Sequence, residues 1–88
     1  MSERYTLYQY DSCPYCARVR RFLAEAGLDL PMKDTLRDPE ARRELIAGGG
    51  SPQVPCLRIE RDGRVQWLYE SLDIIDYLRG RAAEPVQA

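Results

Sequence analysis

No histidine occurs anywhere in the chain. That absence removes Ser/His and Cys/His nucleophile pairs, mixed Cys/His zinc sites and any histidine general base. Cysteine is scarce as well. Cys13, Cys16 and Cys56 make three, an odd and low count beside the four, six or eight of a small secreted disulfide scaffold. Neither sign of charge is in excess, with 13 Lys+Arg against 14 Asp+Glu. No strong field therefore draws nucleic acid or anionic lipid, and neither is expected as a partner. No apolar run approaches the roughly 18–20 residues of a membrane span. The polar start Met1-Ser2-Glu3-Arg4-Tyr5 carries no secretory pattern, so a reducing, cytoplasmic location is expected.

The chain does have an ordinary globular balance, 44% apolar and 31% charged in 88 residues. That supports one core and no separate substrate domain. A single domain over residues 1–88 is expected, with its ordered core at about residues 4–79.

Local patterns divide this length into seven elements. Tyr5 to Tyr10 is mostly aromatic or β-branched and reads as a strand. Proline is tolerated at the first helical position, so Cys13-Pro14 marks a helix start with Cys13 at the N-cap. Val19, Phe22, Leu23 and Ala26 form its apolar stripe, and Gly27 ends it. Leu28, Leu30 and Met32 alternate, predicting a second strand over Leu28 to Met32, parallel to the first. Asp38-Pro39 opens another helix, which runs through Leu45 and Ile46 and stops at Gly48-Gly49-Gly50. Pro55 to Glu60 and Arg64 to Tyr69 bracket Arg61-Asp62-Gly63, a hairpin signal. Glu70-Ser71 opens the last helix, with Leu72, Ile75 and Leu78 inward. Beyond Gly80 the tail Arg81 to Ala88 is expected to fray. The order is β-α-β-α-β-β-α, an α/β class.

Cys13-Pro14-Tyr15-Cys16 is the sharpest chemical signal. A C-x-x-C at a helix start inside a β-α-β unit reads as a thioredoxin-like redox site. The thiolate is the nucleophile, and free N–H groups and the helix dipole favour it at this position. Cys13, ahead of the first turn, is therefore assigned to attack, and Cys16, inside the helix, to resolve. Arg18, Arg20 and Arg21 add positive charge nearby or are simply solvated. The other reading of C-x-x-C is half a zinc or iron–sulfur site. Three cysteines without a histidine fall short of four ligands, so no metal is expected. Tyr15 lies between the cysteines, with its ring beside the reacting sulfur. Val54-Pro55 reads locally as a trans proline opening a strand, since only ~5–6% of X–Pro bonds are cis. Glu70-Ser71 is either a plain cap or an anion site for a carboxylate. Cys56 reads as a small buried hydrophobe.

Taken together, these pieces resemble the glutaredoxins over about residues 4–79. Cys13-Pro14-Tyr15-Cys16 looks like the dithiol glutaredoxin active site, and Val54-Pro55 like the family's cis-proline loop. Tyr69-Glu70-Ser71-Leu72-Asp73-Ile74 is similar to the glutathione-binding Glu-Ser stretch of glutathione transferase N-terminal domains. The likeness is therefore to the transferase-like glutaredoxin subgroup. It implies a thioredoxin fold with a four-stranded mixed sheet, a cis Pro55 and glutathione as co-substrate. Tyr15, Val54, Pro55, Glu70 and Ser71 are then the residues that hold glutathione. Val54 gives backbone bonds to its cysteinyl part, Ser71 takes the γ-glutamyl carboxylate and Glu70 the amine. Tyr10 stands where many glutaredoxins carry Lys or Arg, so the partner of the glycine carboxylate stays open, with Arg42 and Arg43 as candidates. Such proteins usually continue into an all-helical domain, and with eight residues after Gly80 a complete transferase is not expected. The implied activity is glutathione-dependent reduction of glutathione mixed disulfides and protein disulfides by a monomer. Its partners would be glutathione and glutathionylated or disulfide-bearing proteins. The alternatives are a non-catalytic glutathione-binding module and a metal-binding protein.

Overall fold

The computed structural model describes residues 3–83. In chain order the elements are β1 (Arg4–Gln9), α1 (Pro14–Ala26), β2 (Met32–Asp34), α2 (Pro39–Gly49), β3 (Cys56–Arg61), β4 (Arg64–Tyr69) and α3 (Ser71–Ala83). The sheet order is β2-β1-β3-β4. β1 and β2 are parallel, and the β1–β3 and β3–β4 pairs are antiparallel. The thioredoxin-type β-α-β-α-β-β-α order and the mixed sheet are therefore as expected.

Alternation along the central strands sorts side chains to two faces. Leu7, Leu57 and Ile59 meet Val19 and Leu23 of α1 and Ile74, Ile75 and Leu78 of α3 in one core cluster. Tyr8 and Cys56, on the other face, meet Ala41 and Leu45 of α2. Helices thus cover both faces, and the C-terminal end of β1 is buried at Leu7, Tyr8 and Gln9.

Four expectations need correction. The second strand is Met32–Asp34, not Leu28 to Met32. Pro31 has no N–H for the ladder, so it only accepts, from Leu7 at 2.9 Å, and strand pairing begins after it. Leu28 and Leu30 instead pack on the α1/α3 core. The glycine run does not end α2 at once: Gly48 and Gly49 are helical, and Gly50 is the left-handed cap at φ 89°. Leu72 is 60% exposed, and Ile74 takes the inward position at 0%. Ser71, Ile74, Ile75 and Leu78 form the helical stripe facing the core, which turns Leu72 outward. Finally, α3 continues past Gly80 to Ala83. The rest of the expected fraying tail, 84–88, lies outside the described residues. The hairpin turn is a two-residue loop, Asp62 (φ 54°) and Gly63 (φ 78°), joining the Arg61–Arg64 pair.

The extension of α3 has a specific anchor. Glu3 has a side chain only 9% exposed and lies 3.1 Å from Arg61 and 3.4 Å from Arg81. It accepts from Tyr77 at 2.9 Å and from Tyr5. One carboxylate therefore joins the start of β1, the end of β3 and the last turns of α3. Burial alone would raise its pKa. Hydrogen bonds from Tyr5 and Tyr77 and the charges of Arg81 and Arg61 outweigh burial and hold the carboxyl below its ordinary value. A depressed carboxyl stabilises the fold above its unfolded pKa, and that contribution fades as pH falls through the folded value. Glu3→Gln is expected to cost roughly 1–3 kcal/mol at neutral pH. The gap between wild-type and variant urea midpoints should shrink below about pH 4.5, the ordinary value from which Glu3 is shifted. A gap that stays constant down to pH 3 would mean that the carboxylate charge contributes nothing.

Candidate functional site

Cys13 is held by the β1–α1 connection. Its backbone is extended (φ −82°, ψ 119°), and Pro14 occupies the first turn of α1. Its N–H donates to the Tyr10 carbonyl at 3.3 Å. The Arg20 guanidinium reaches back from α1 to the Tyr10 carbonyl at 3.4 Å, the Asp11 carbonyl at 3.2 Å and the Gln9 side chain. The loop that aims the cysteine is therefore tied to the helix it starts. The Cys16 N–H donates to Cys13 Sγ at 3.3 Å. A sulfur at a helix N-cap, facing a backbone N–H, has the geometry that favours negative sulfur. Cys13 is 6% exposed and Cys16 0%. Burial first, then the hydrogen bond with Cys13, pushes the Cys16 thiol up to about 12. The two sulfurs are thus chemically unequal, and the inequality rests on environment more than on exposure.

The Val54–Pro55 peptide bond is cis. This overturns the trans reading drawn from local sequence and agrees with the glutaredoxin resemblance. Pro55 is buried and Val54 half-buried, and the Val54 carbonyl oxygen lies 4.0 Å from Cys13 Sγ. The loop is braced from β4, where the Tyr69 hydroxyl donates to the Ser51 carbonyl at 2.9 Å. Cys56 follows Pro55, pairs with Tyr69 across the sheet and is fully buried. Burial pushes its thiol up to about 12, leaving it inert as a nucleophile near neutral pH.

Glu70 supplies the third wall. Its carbonyl accepts from the Ile74 N–H at 3.0 Å, so it caps α3. Its φ is 77°, a left-handed conformation that a residue with a Cβ rarely adopts. Such strain persists where the surroundings over-determine it and clusters at functional sites. Here it leaves the Glu70 side chain exposed beside Ser71, which is 6% exposed. The Ser71 hydroxyl makes no side-chain hydrogen bond among the described residues.

These walls enclose a groove of about 890 Å³. Tyr15, Val54, Pro55, Glu70 and Ser71 all line it, joined by Tyr10, Arg18, Tyr69 and Leu72. Neither Arg42 nor Arg43 lines the groove, and Arg43 is engaged with Glu40 at 2.6 Å. Their positions therefore do not support either candidate for the glycine carboxylate. Sequence reasoning missed Tyr69 and the Arg20–Gln9 clamp. Tyr69 reads as a strand residue until β4 is paired with Cys56, and Arg20 as a solvated helix residue until the loop folds back on it. Among the described residues, no group of three or more His, Cys, Asp or Glu could hold a metal ion. Nor is any helix there long and apolar enough to cross a membrane.

The family described as Glutathione S-transferase, N-terminal domain, matches residues 7–86. Mouse prostaglandin E synthase 2 is 35% identical over 74 residues, covering 84% of this chain and 18% of that protein. Glutaredoxin 2 of Escherichia coli K12 is 31% identical over 81 residues, covering 91% of this chain and 35% of that protein. The crystal structure of maleylacetoacetate isomerase from Anaeromyxobacter dehalogenans 2CP-1 superimposes with a TM-score of 0.72 at 34% identity. It covers 96% of this chain and 39% of the isomerase, which carries dicarboxyethyl glutathione and citrate in its active site. The chain thus spans well under half the length of each of these proteins. By the family match over residues 7–86 the chain belongs to the glutathione S-transferase N-terminal domain family, as a thioredoxin-like domain homologous to glutaredoxin 2.

Proposed function

We propose that the chain is a glutathione-dependent thiol–disulfide oxidoreductase that works in a reducing compartment. The observation that carries this reading is the Cys13 sulfur, faced by the Cys16 N–H at 3.3 Å and by the Val54 carbonyl at 4.0 Å. In the first step the Cys13 thiolate attacks the glutathione sulfur of a mixed disulfide. The substrate thiolate leaves with the electron pair and takes up a proton, and Cys13 becomes disulfide-bonded to glutathione. A second glutathione thiolate then attacks that disulfide, releasing oxidised glutathione and restoring Cys13. A mixed disulfide thus consumes one free glutathione. With a protein disulfide, Cys13 attacks one of its sulfurs, and Cys16 then attacks the Cys13–substrate disulfide, releasing the dithiol substrate and leaving a Cys13–Cys16 disulfide. Two glutathione molecules reduce that disulfide in turn and leave as oxidised glutathione.

Glutathione fits the groove as an extended peptide. Its cysteinyl backbone pairs with Val54, as a strand pairs with an open edge. Its γ-glutamyl carboxylate reaches the free N–H groups and hydroxyl at Ser71, and Glu70 faces its ammonium group. A hydrogen bond to a charged group is worth about 1.5–3 kcal/mol, and each 1.4 kcal/mol is a factor of ten.

The test is turnover of a glutathione mixed disulfide, followed as oxidised glutathione formed, in wild type and Ser71→Ala. Wild type is expected to turn over. Ser71→Ala should raise the apparent KM for glutathione by about tenfold while leaving the rate of Cys13 alkylation by iodoacetamide nearly unchanged. Glutathione binding without turnover in wild type would favour a non-catalytic module. An unchanged KM in Ser71→Ala would make Ser71 a plain helix cap.

A further inference from the structure

The groove is electrically lopsided. Glu70 and Asp73 bring carboxylates at the α3 wall, and Arg18 is the lone cation among the residues lining it. Neighbouring arginines are otherwise engaged: Arg20 clamps the β1–α1 loop, and Arg21 faces Glu25 at 4.0 Å. Arg18 is exposed and forms no ion pair among the described residues. Its guanidinium carbon stands 5.7 Å from the centroid of the Tyr15 ring, and Tyr15 is itself 58% exposed. A guanidinium propped on an aromatic face is partly pre-ordered and stays free to pair with a carboxylate. Tyr15 follows the nucleophile by two positions, and Cys13 caps the helix that carries both Tyr15 and Arg18.

In the proposed reaction, Val54 and the α3 start hold glutathione. Neither contact uses Arg18 on the α1 wall, which leaves that cation for the other half of the disulfide. We propose that Arg18, seated on Tyr15, selects that departing half for negative charge. The favoured substrates are then glutathionylated thiols with a carboxylate close to the sulfur. The inference rests on the oxidoreductase reading and adds a substrate class to it. Arg18 forms no covalent bond and moves no electrons; it attracts the anionic partner before Cys13 attacks the glutathione sulfur.

The experiment uses two glutathione mixed disulfides as probes, one with 3-mercaptopropionate, which is anionic, and one with cysteamine, which is cationic. The readout is the ratio of their kcat/KM values, compared between wild type, Arg18→Gln, Arg18→Glu and Arg21→Gln. Differences in the intrinsic reactivity of the probes cancel in that comparison. An exposed ion pair changes an equilibrium by about two- to fivefold. The anionic-to-cationic ratio should fall by about that factor in Arg18→Gln and further in Arg18→Glu. Arg21→Gln, which removes the same charge one turn away from the lip, should leave it unchanged. In wild type the preference should weaken as salt is raised to 0.5 M, because exposed charges are screened. A ratio unchanged in Arg18→Glu overturns the proposal. So does an equal loss on both probes with a raised KM for glutathione, which would give Arg18 to glutathione itself. Wild type that turns over neither probe overturns the oxidoreductase reading, and this proposal with it.

Discussion

Cys13→Ser is expected to abolish disulfide exchange, on the order of 10³-fold or more, as loss of a catalytic nucleophile does. Cys16→Ser should keep most of the activity on glutathione mixed disulfides and lose most of the activity on protein disulfides. The reason lies in the environments of the two sulfurs. Cys13 Sγ receives the Cys16 N–H at 3.3 Å at the start of α1, whereas Cys16 is fully buried with its thiol pushed up to about 12. At neutral pH Cys16 is therefore a neutral thiol. It attacks only a neighbour already brought to it, namely the disulfide on Cys13. A protein disulfide tethers its second sulfur to the first, so intramolecular resolution by Cys16 is needed to finish the reaction. A glutathione mixed disulfide needs only a second glutathione. Alkylation with iodoacetamide at pH 7, read by mass spectrometry, should mark Cys13 alone of the three cysteines, with Cys56 protected by burial and its own raised thiol. Equal loss of activity in both serine variants on a glutathionylated substrate would reverse the assignment of roles. Rapid labelling of Cys16 would refute the environmental argument beneath it.

Much of this site was legible because local chemistry and tertiary position coincide there. Cys13-Pro14 marks a helix start by the fixed φ of proline, and the same position is where a sulfur meets free N–H groups. Gly27 ends α1 in a left-handed cap at φ 70°, as a glycine just past an apolar stripe should. Asp62-Gly63 likewise carries its turn in its own residues. The elements misplaced in the sequence are those settled by distant partners. Whether Leu28 to Met32 or Met32–Asp34 pairs with β1 is decided by where the Pro31 carbonyl meets Leu7. Whether α3 stops at Gly80 is decided by Glu3, nearly eighty residues away, whose carboxylate engages both Tyr77 and Arg81. The cis state of Val54–Pro55 has no local signature at all, and only the resemblance pointed to it. The groove follows the same division. Its Glu70 and Ser71 wall could be read from a motif, whereas Tyr69, Arg18 and the absence of Arg42 and Arg43 from the lining depend on how β4, α1 and α2 converge.

Gly48→Ala is expected to destabilise the fold by about 1–2 kcal/mol net, although alanine is the better helix former. The helix-propensity gain is at most about 1 kcal/mol and is smaller in a last turn. Against it, a Cβ at Gly48 would overlap the indole ring of Trp67. Overpacking of this kind costs typically 1–3 kcal/mol. The indole has little room to yield, with the Tyr8 ring 5.4 Å away and the Arg58 guanidinium 5.8 Å over its face. Thermal midpoints should fall by roughly 4–8 °C per kcal/mol for a domain of this size. Gly49→Ala differs in kind. Its Cβ would overlap the Tyr69 hydroxyl, the group that donates to the Ser51 carbonyl at 2.9 Å. Pushing that hydroxyl aside frees the loop that leads to Val54, so Gly49→Ala should raise the KM for glutathione as well as lower stability. Gly48→Ala should lower stability with little change in KM. Tyr69→Phe removes the overlapped oxygen at the cost of one hydrogen bond, about 1 kcal/mol. The double variant Gly49→Ala/Tyr69→Phe should therefore be less destabilised than the sum of its parts, a coupling that a double-mutant cycle on urea midpoints measures. Strict additivity would place the Gly49 cost elsewhere than at Tyr69. A stabilised Gly48→Ala would mean that α2 and β4 do not approach as closely as these two glycines allow.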